Sequence, residues 1–147
     1  MVTLPVFEGP GRLLEDHYLA NTRLRLRRET GADGIARVWK IARKYGATAP
    51  GVEPMTNLYL NPEEHAMLAT LPGASVSKRR HDIMVDGVRW VIDLFDGALQ
   101  GRVIAEVELS DANALWALAP PPWCGREITG DPAYSGATLA RAGWPTR

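Results

Sequence analysis

The chain predicts a mostly β fold of the α+β kind: an antiparallel sheet curled into a closed or nearly closed barrel, with a few short helices. Three observations predict it. Apolar and charged residues alternate at period two over several segments, most plainly in "TRLRLRRE", Thr22 to Glu29, which is the pattern of a strand with two unlike faces. These segments follow one another strand to strand, separated by Gly-, Pro- and Asn-bearing turns, with none of the alternating βα rhythm of a doubly wound fold. The 147 residues, 46% apolar, suffice for one core without staples, so residues 1–147 are expected to form a single domain.

The elements follow in order. After "FEGPGR", Leu13 to Leu19 reads as a strand, and "AN" makes a short hairpin connection into the Arg-bearing strand, which "GADG" closes. Ile35 to Lys44 alternates again, with Val38, Lys40, Ala42 and Lys44 on one face and Arg37, Trp39, Ile41 and Arg43 on the other. The loop "YGATAPGVEP" leads to a short strand, Met55 to Leu60. "NPEEHAMLATLPG" is a helix start: Asn61 caps, Pro62 takes the first helical position, Glu63 and Glu64 face the positive helix end, and Pro72-Gly73 stops it. Strands Ser75 to Val85 and Val88 to Phe95 form a hairpin on Asp86-Gly87, a pair suited to a type I′ turn. Arg102 to Leu109 is a further strand, and Ser110 opens a short helix ended by Pro120 to Pro122. An extended piece at Glu127 to Thr129 and a helix at Gly136 to Ala142 complete an inventory of about seven strands and three short helices.

Lys plus Arg equals Asp plus Glu at 17 each, so no overall basic field exists to bind nucleic acid, and any cationic site is local. A lone cysteine, Cys124, fits a reducing compartment, and no apolar run approaches a membrane span, so the reading is cytoplasmic with neither nucleic-acid nor membrane partners. His17, His65 and His81 lack metal-ligand spacing, and Trp39, Trp90 and Trp116 read as packing residues.

Charge is concentrated on strand faces. Arg23, Arg25 and Arg27 share one face; Lys40 and Lys44, Lys78 and Arg80, and Glu106 and Glu108 repeat the period-two spacing. In "VIAEVELS" the apolar face is Val103, Ala105, Val107 and Leu109, and Ile104 joins the Glu set. A solvated sheet carrying cross-strand ion pairs, each worth about 0.2–1 kcal/mol, accounts for such a pattern. Segregation of sign favours the alternative, because a solubilising surface intersperses charges. A barrel lined with Arg and Lys suits a polyanion, and two neighbouring carboxylates suit a hard divalent cation.

The segments "DHYLANTRLRLRR", "WKIARKYG", "MTNLYLNPEEHAMLATLPG", "SKRR", "WVIDLFDGALQG", "AEVELS" and "REITGDPAYSGATLA" resemble, in order, those of the CYTH proteins, or triphosphate tunnel metalloenzymes. The resemblance implies a closed antiparallel barrel tunnel and a Mg- or Mn-dependent hydrolase of inorganic triphosphate or a related triphosphate compound, a nucleoside triphosphate included. It implies that Arg25, Arg27, Lys44, Lys78 and Arg80 bind phosphate and that Glu106 and Glu108 hold the metal. Asp93, Asp131 and Tyr134 fall in family-like segments as supporting or structural residues, and Lys40 carries no assigned role. The family's first strand, with its Glu-x-Glu-x-Lys pattern, has no counterpart here; "VTLP" resembles the residues just downstream of that strand. Either the start lies upstream of Met1 or the tunnel lacks half of its metal site. Two other functions therefore stand beside the hydrolase, a non-catalytic polyphosphate- or nucleotide-binding module and a class IV adenylyl cyclase, and a homodimer is admitted as a partner.

Overall fold

The computed structural model describes residues 3–146; Met1 and Val2, which open the stretch read as lying downstream of the absent strand, fall outside them. Seven strands form one antiparallel sheet: β1 (Arg12–Leu19), β2 (Leu24–Thr30), β3 (Ala36–Lys44), β4 (Met55–Tyr59), β5 (Gly73–Val85), β6 (Val88–Phe95) and β7 (Val103–Val107). Their spatial order is β4-β3-β2-β1-β5-β6-β7. The expected barrel is therefore nearly closed rather than closed, since no ladder joins β4 to β7 among the described residues. Helices α1 (Pro62–Leu68), α2 (Ala112–Ala117) and α3 (Gly136–Ala142) are short.

Local chemistry explains the element ends. Asp86 and Gly87 both adopt positive φ, 49° and 77°, as a type I′ hairpin requires. Asn61 accepts a hydrogen bond from the Glu64 N–H while the Glu64 carboxylate accepts from the Asn61 N–H, a reciprocal cap on α1. The boundary of α2 is corrected by one residue: Asp111, not Ser110, caps it. The hairpin into β2 spans 20–23, with Asn21 at φ 59°, so Arg23 lies in the turn and only Arg25 and Arg27 belong to the strand. The extended piece read at Glu127 to Thr129 joins no strand ladder among the described residues; the Glu127 carboxylate accepts from both the N–H and the hydroxyl of Thr129.

Register partners share a face of the sheet. Leu14, Asp16 and Tyr18 on β1 lie opposite Glu29, Arg27 and Arg25 on β2, and opposite Lys78, Val76 and Ala74 on β5. Extending the pairing outward adds Lys40 and Ala42 on one side, and Asp93, Phe95 and Ile104 on the other. This face divides in two. At one end Tyr18, Val76, Phe95, Leu99 and Ile104 pack with Leu139 of α3 into an apolar cluster; the charged residues occupy the remainder. Ile104 thus belongs to the core although it shares a face with Glu106, because α3 covers that end of the sheet. The opposite face buries Leu26 and Ile92, with Phe7 stacked on His81 at 4.3 Å.

Candidate active site

The charged half of this face is built on two buried carboxylates. Asp16, 2% exposed, accepts from Arg27 Nε and Nη2 at 2.6 and 2.7 Å. Asp93, fully buried, accepts from Arg80 Nε and Nη2 at 2.7 and 2.8 Å and lies 2.6 Å from Lys78 Nζ. Both guanidiniums are held side-on by the same two nitrogens, an arrangement only a planar fork supports. Burial pushes both carboxyls up, yet each ends below its ordinary value: Arg27, Arg25 and Lys78 outweigh burial at Asp16, and Arg80 and Lys78 outweigh it at Asp93. In return, burial works against the charge of Arg27 and Arg80, but their carboxylate partners leave both pKa values raised.

Arg25 and Lys44 stand differently. Arg25 is 5% exposed and makes no ion pair among the described residues, and its buried Nε has no hydrogen-bond partner there. Burial lowers its pKa, and the neighbouring Arg27 charge adds to the effect. Lys44 has no carboxylate within ion-pair distance among the described residues; burial and the charge of Arg25 lower its pKa. A desolvated cation without a partner is costly. Arg25, buried, and Lys44, half-buried, thus leave positive charge on this face that no carboxylate of the described residues pairs.

Glu106 shows how far the sheet curls. It lies on β7, five strand positions from Lys44 on β3, a separation of roughly 24 Å in a flat sheet. Its charge nevertheless acts on Lys44, Arg80 and Tyr18, and its carboxylate comes within 3.9 Å of Arg80 Nη2. The sheet therefore brings Arg25, Arg27, Lys44, Lys78, Arg80 and Glu106 around one concave space. Tyr18 sits at its apolar limit, where burial and then the Asp16 charge push its phenol up to about 12. Glu108 lies beyond the last paired residue of β7 and is exposed.

The remaining candidates divide between supporting and peripheral places. Lys40 lines the same face, 4.0 Å from Glu29, which also takes Arg12 at 3.4 Å. Asp131 accepts from the Ala133 N–H at the start of the 3-10 turn 132–134 and lies 3.5 Å from Arg126. Tyr134 packs edge-on against Trp144 at 5.2 Å. Sequence reasoning missed Asp16 and Glu29. Their signal was the period-two pattern of β1 and β2, Leu14-Asp16-Tyr18 and Arg25-Arg27-Glu29, once antiparallel pairing is laid across the hairpin.

No family model matches the chain. A curated inorganic triphosphatase of Acetivibrio thermocellus is 42% identical over 66 residues, which are 45% of this chain and 41% of that protein. A second, of Nitrosomonas europaea, is 38% identical over 69 residues, 46% of each. The match thus spans less than half the length of either curated relative. Two solved structures of NE1496, one described as an inorganic triphosphatase and one as a hypothetical protein, share the fold, with TM-scores of 0.62 and 0.61 at 23% and 24% identity. Both alignments cover 95% of this chain, and 88% and 91% of the respective structures. The shared fold and the two inorganic triphosphatase relatives accord with the resemblance to the CYTH, or triphosphate tunnel metalloenzyme, proteins.

Proposed function

We propose that the chain hydrolyses inorganic triphosphate or a related triphosphate compound with the help of a divalent metal ion. One observation carries the reading: Arg25, buried with an Nε unpartnered among the described residues, shares with Lys44 a concave face whose other cations are already held by carboxylates. Phosphoryl transfer asks mainly for positioning and for stabilising charge on phosphate oxygens, which such a lining provides. In this reading Arg25 and Lys44 draw the anion in, and Arg27 and Arg80 donate to phosphate oxygens through the nitrogens their carboxylates leave free. Lys78 adds positive charge beside them.

Glu106 and Glu108 would hold the metal. No cluster of three His, Cys, Asp or Glu gathers among the described residues, and two carboxylates suit Mg²⁺ or Mn²⁺, which complete their shells with water and substrate phosphate oxygens. When bound, such an ion supplies charge neutralisation and an activated water. No helix among the described residues is long and apolar enough to cross a membrane, and the single unpaired Cys124 supports a reducing, cytoplasmic setting.

Phosphate release from inorganic triphosphate tests the proposal. Release with Mg²⁺ that EDTA abolishes, and that Glu106→Gln reduces at least tenfold, is expected. Binding of triphosphate without release under any divalent metal would replace the hydrolase by a polyphosphate-binding module.

A further inference from the structure

Asp16 presents a problem for an anion site. A carboxylate on its floor, 2% exposed, repels the ligand that the surrounding cations attract, so its presence requires a compensating role. Neutralising Arg27 alone would not need this geometry, since a single contact suffices for charge. The Asp16 oxygens instead take Nε and Nη2, one each, at 2.6 and 2.7 Å. Those two bonds fix the guanidinium plane and consume one of its edges. Arg27 Nη1 makes no hydrogen bond and no ion pair among the described residues. The same side-on grip by Asp93 leaves Arg80 Nη1 unbonded in the same way. Arg25, on the same strand two residues from Arg27, has no such grip and keeps its Nε unpartnered.

We propose that Asp16 is a positioning residue: it clamps the Nε/Nη2 edge of Arg27 so that the Nη1 edge is held ready for a phosphate oxygen whose charge grows during transfer. This deepens, and rests on, the triphosphatase reading. A long side chain that must order itself at the moment of reaction loses rate, whereas one already fixed does not. The clamp therefore acts on turnover more than on affinity, and removing its charge even makes the floor more attractive to an anion.

Asp16→Asn keeps the shape, loses the charge and places an amide N–H₂ against Arg27 Nη2. The expected result is a kcat at least tenfold lower, with a Kd for inorganic triphosphate, measured in EDTA, no weaker than that of the unaltered chain. A kcat within twofold of the unaltered value, or a Kd that weakens in step with kcat, overturns the proposal. Should Asp16→Asn fail to fold, Arg27→Lys keeps the ion pair but lacks the fork, and an unchanged kcat there overturns it equally. ¹⁵N spectra of the guanidinium groups separate this inference from the reading beneath it. Absence of turnover in the unaltered chain defeats the hydrolase; a rapidly exchanging Arg27 Nε–H, or one displaced from Asp16 when triphosphate is added, defeats the clamp.

Discussion

Arg25 and Asp93 bear opposite relations to stability. Arg25 is a buried cation without a partner among the described residues, so replacing it with Met removes a desolvation cost and should leave the free protein as stable or more so. The same change removes charge-assisted hydrogen bonds of about 1.5–3 kcal/mol to the ligand, and should weaken triphosphate binding roughly 10- to 150-fold by calorimetry. Asp93 holds two cations, and Asp93→Asn strands both; urea unfolding at pH 7 should show a loss of about 3–5 kcal/mol. The pH dependence has a defined sign. Asp16 and Asp93 have folded pKa values below the ordinary 3.8, so the unfolded chain binds protons first. Their stabilisation is complete above that range and is lost as pH falls through the folded values. Burial lowers the pKa values of His65 and His81 as well, so urea midpoints should fall gently from pH 7 to about 5 and then drop steeply below pH 4, and Asp93→Asn should flatten the steep drop. An equal slope in the variant would contradict the assignment. The cations were legible at this scale because Arg and Lys repeat at period two. Asp16 was not, because an acid that shares its face of β1 with Leu14 and Tyr18 declares its partner only when the hairpin register sets it against Arg27.

Among elements, β5 depends on a close approach that no side chain at its first residue could permit. Gly73 pairs with Leu19, and a Cβ there would collide with the Tyr18 backbone carbonyl. Backbone cannot move aside without opening the β1–β5 ladder, on which Asp16, Lys78 and Arg80 all sit. Gly73→Ala should therefore cost about 1–3 kcal/mol, read as a lower Tm, and should weaken triphosphate binding although the residue touches no ligand. A Tm within a degree of the original would show that the ladder tolerates the shift. Nearly every strand and helix was legible, since alternation, the Asp86-Gly87 turn and the Asn61 cap each carry a local physical signal. What failed was non-local. Nothing in "VIAEVELS" marks Ile104 as a core residue, because the helix that buries it arrives from residues 136–142. The β7 ladder also stops at Val107, short of Glu108.

Across the whole molecule, the sheet presents two edges. Every residue of β4 is exposed, Leu58 and Tyr59 to 61% and 70%, and an open, partly apolar edge invites pairing with another chain. Sedimentation velocity over a range of concentrations should reveal self-association that Leu58→Lys diminishes; a concentration-independent monomer would show that the edge is protected as it stands. Curvature was the global property least accessible from sequence. Alternation tells which residues share a face, but only the curl that lets the Glu106 charge act on Lys44 gathers the charged face around one space. The most direct test of a site there is calorimetric titration of the metal-free chain with inorganic triphosphate, alongside its Arg25→Ala variant. The account predicts saturable one-to-one binding that Arg25→Ala weakens at least tenfold; indistinguishable titrations of the two proteins, or no saturable binding by either, would mean that the cationic face is merely a solvated surface.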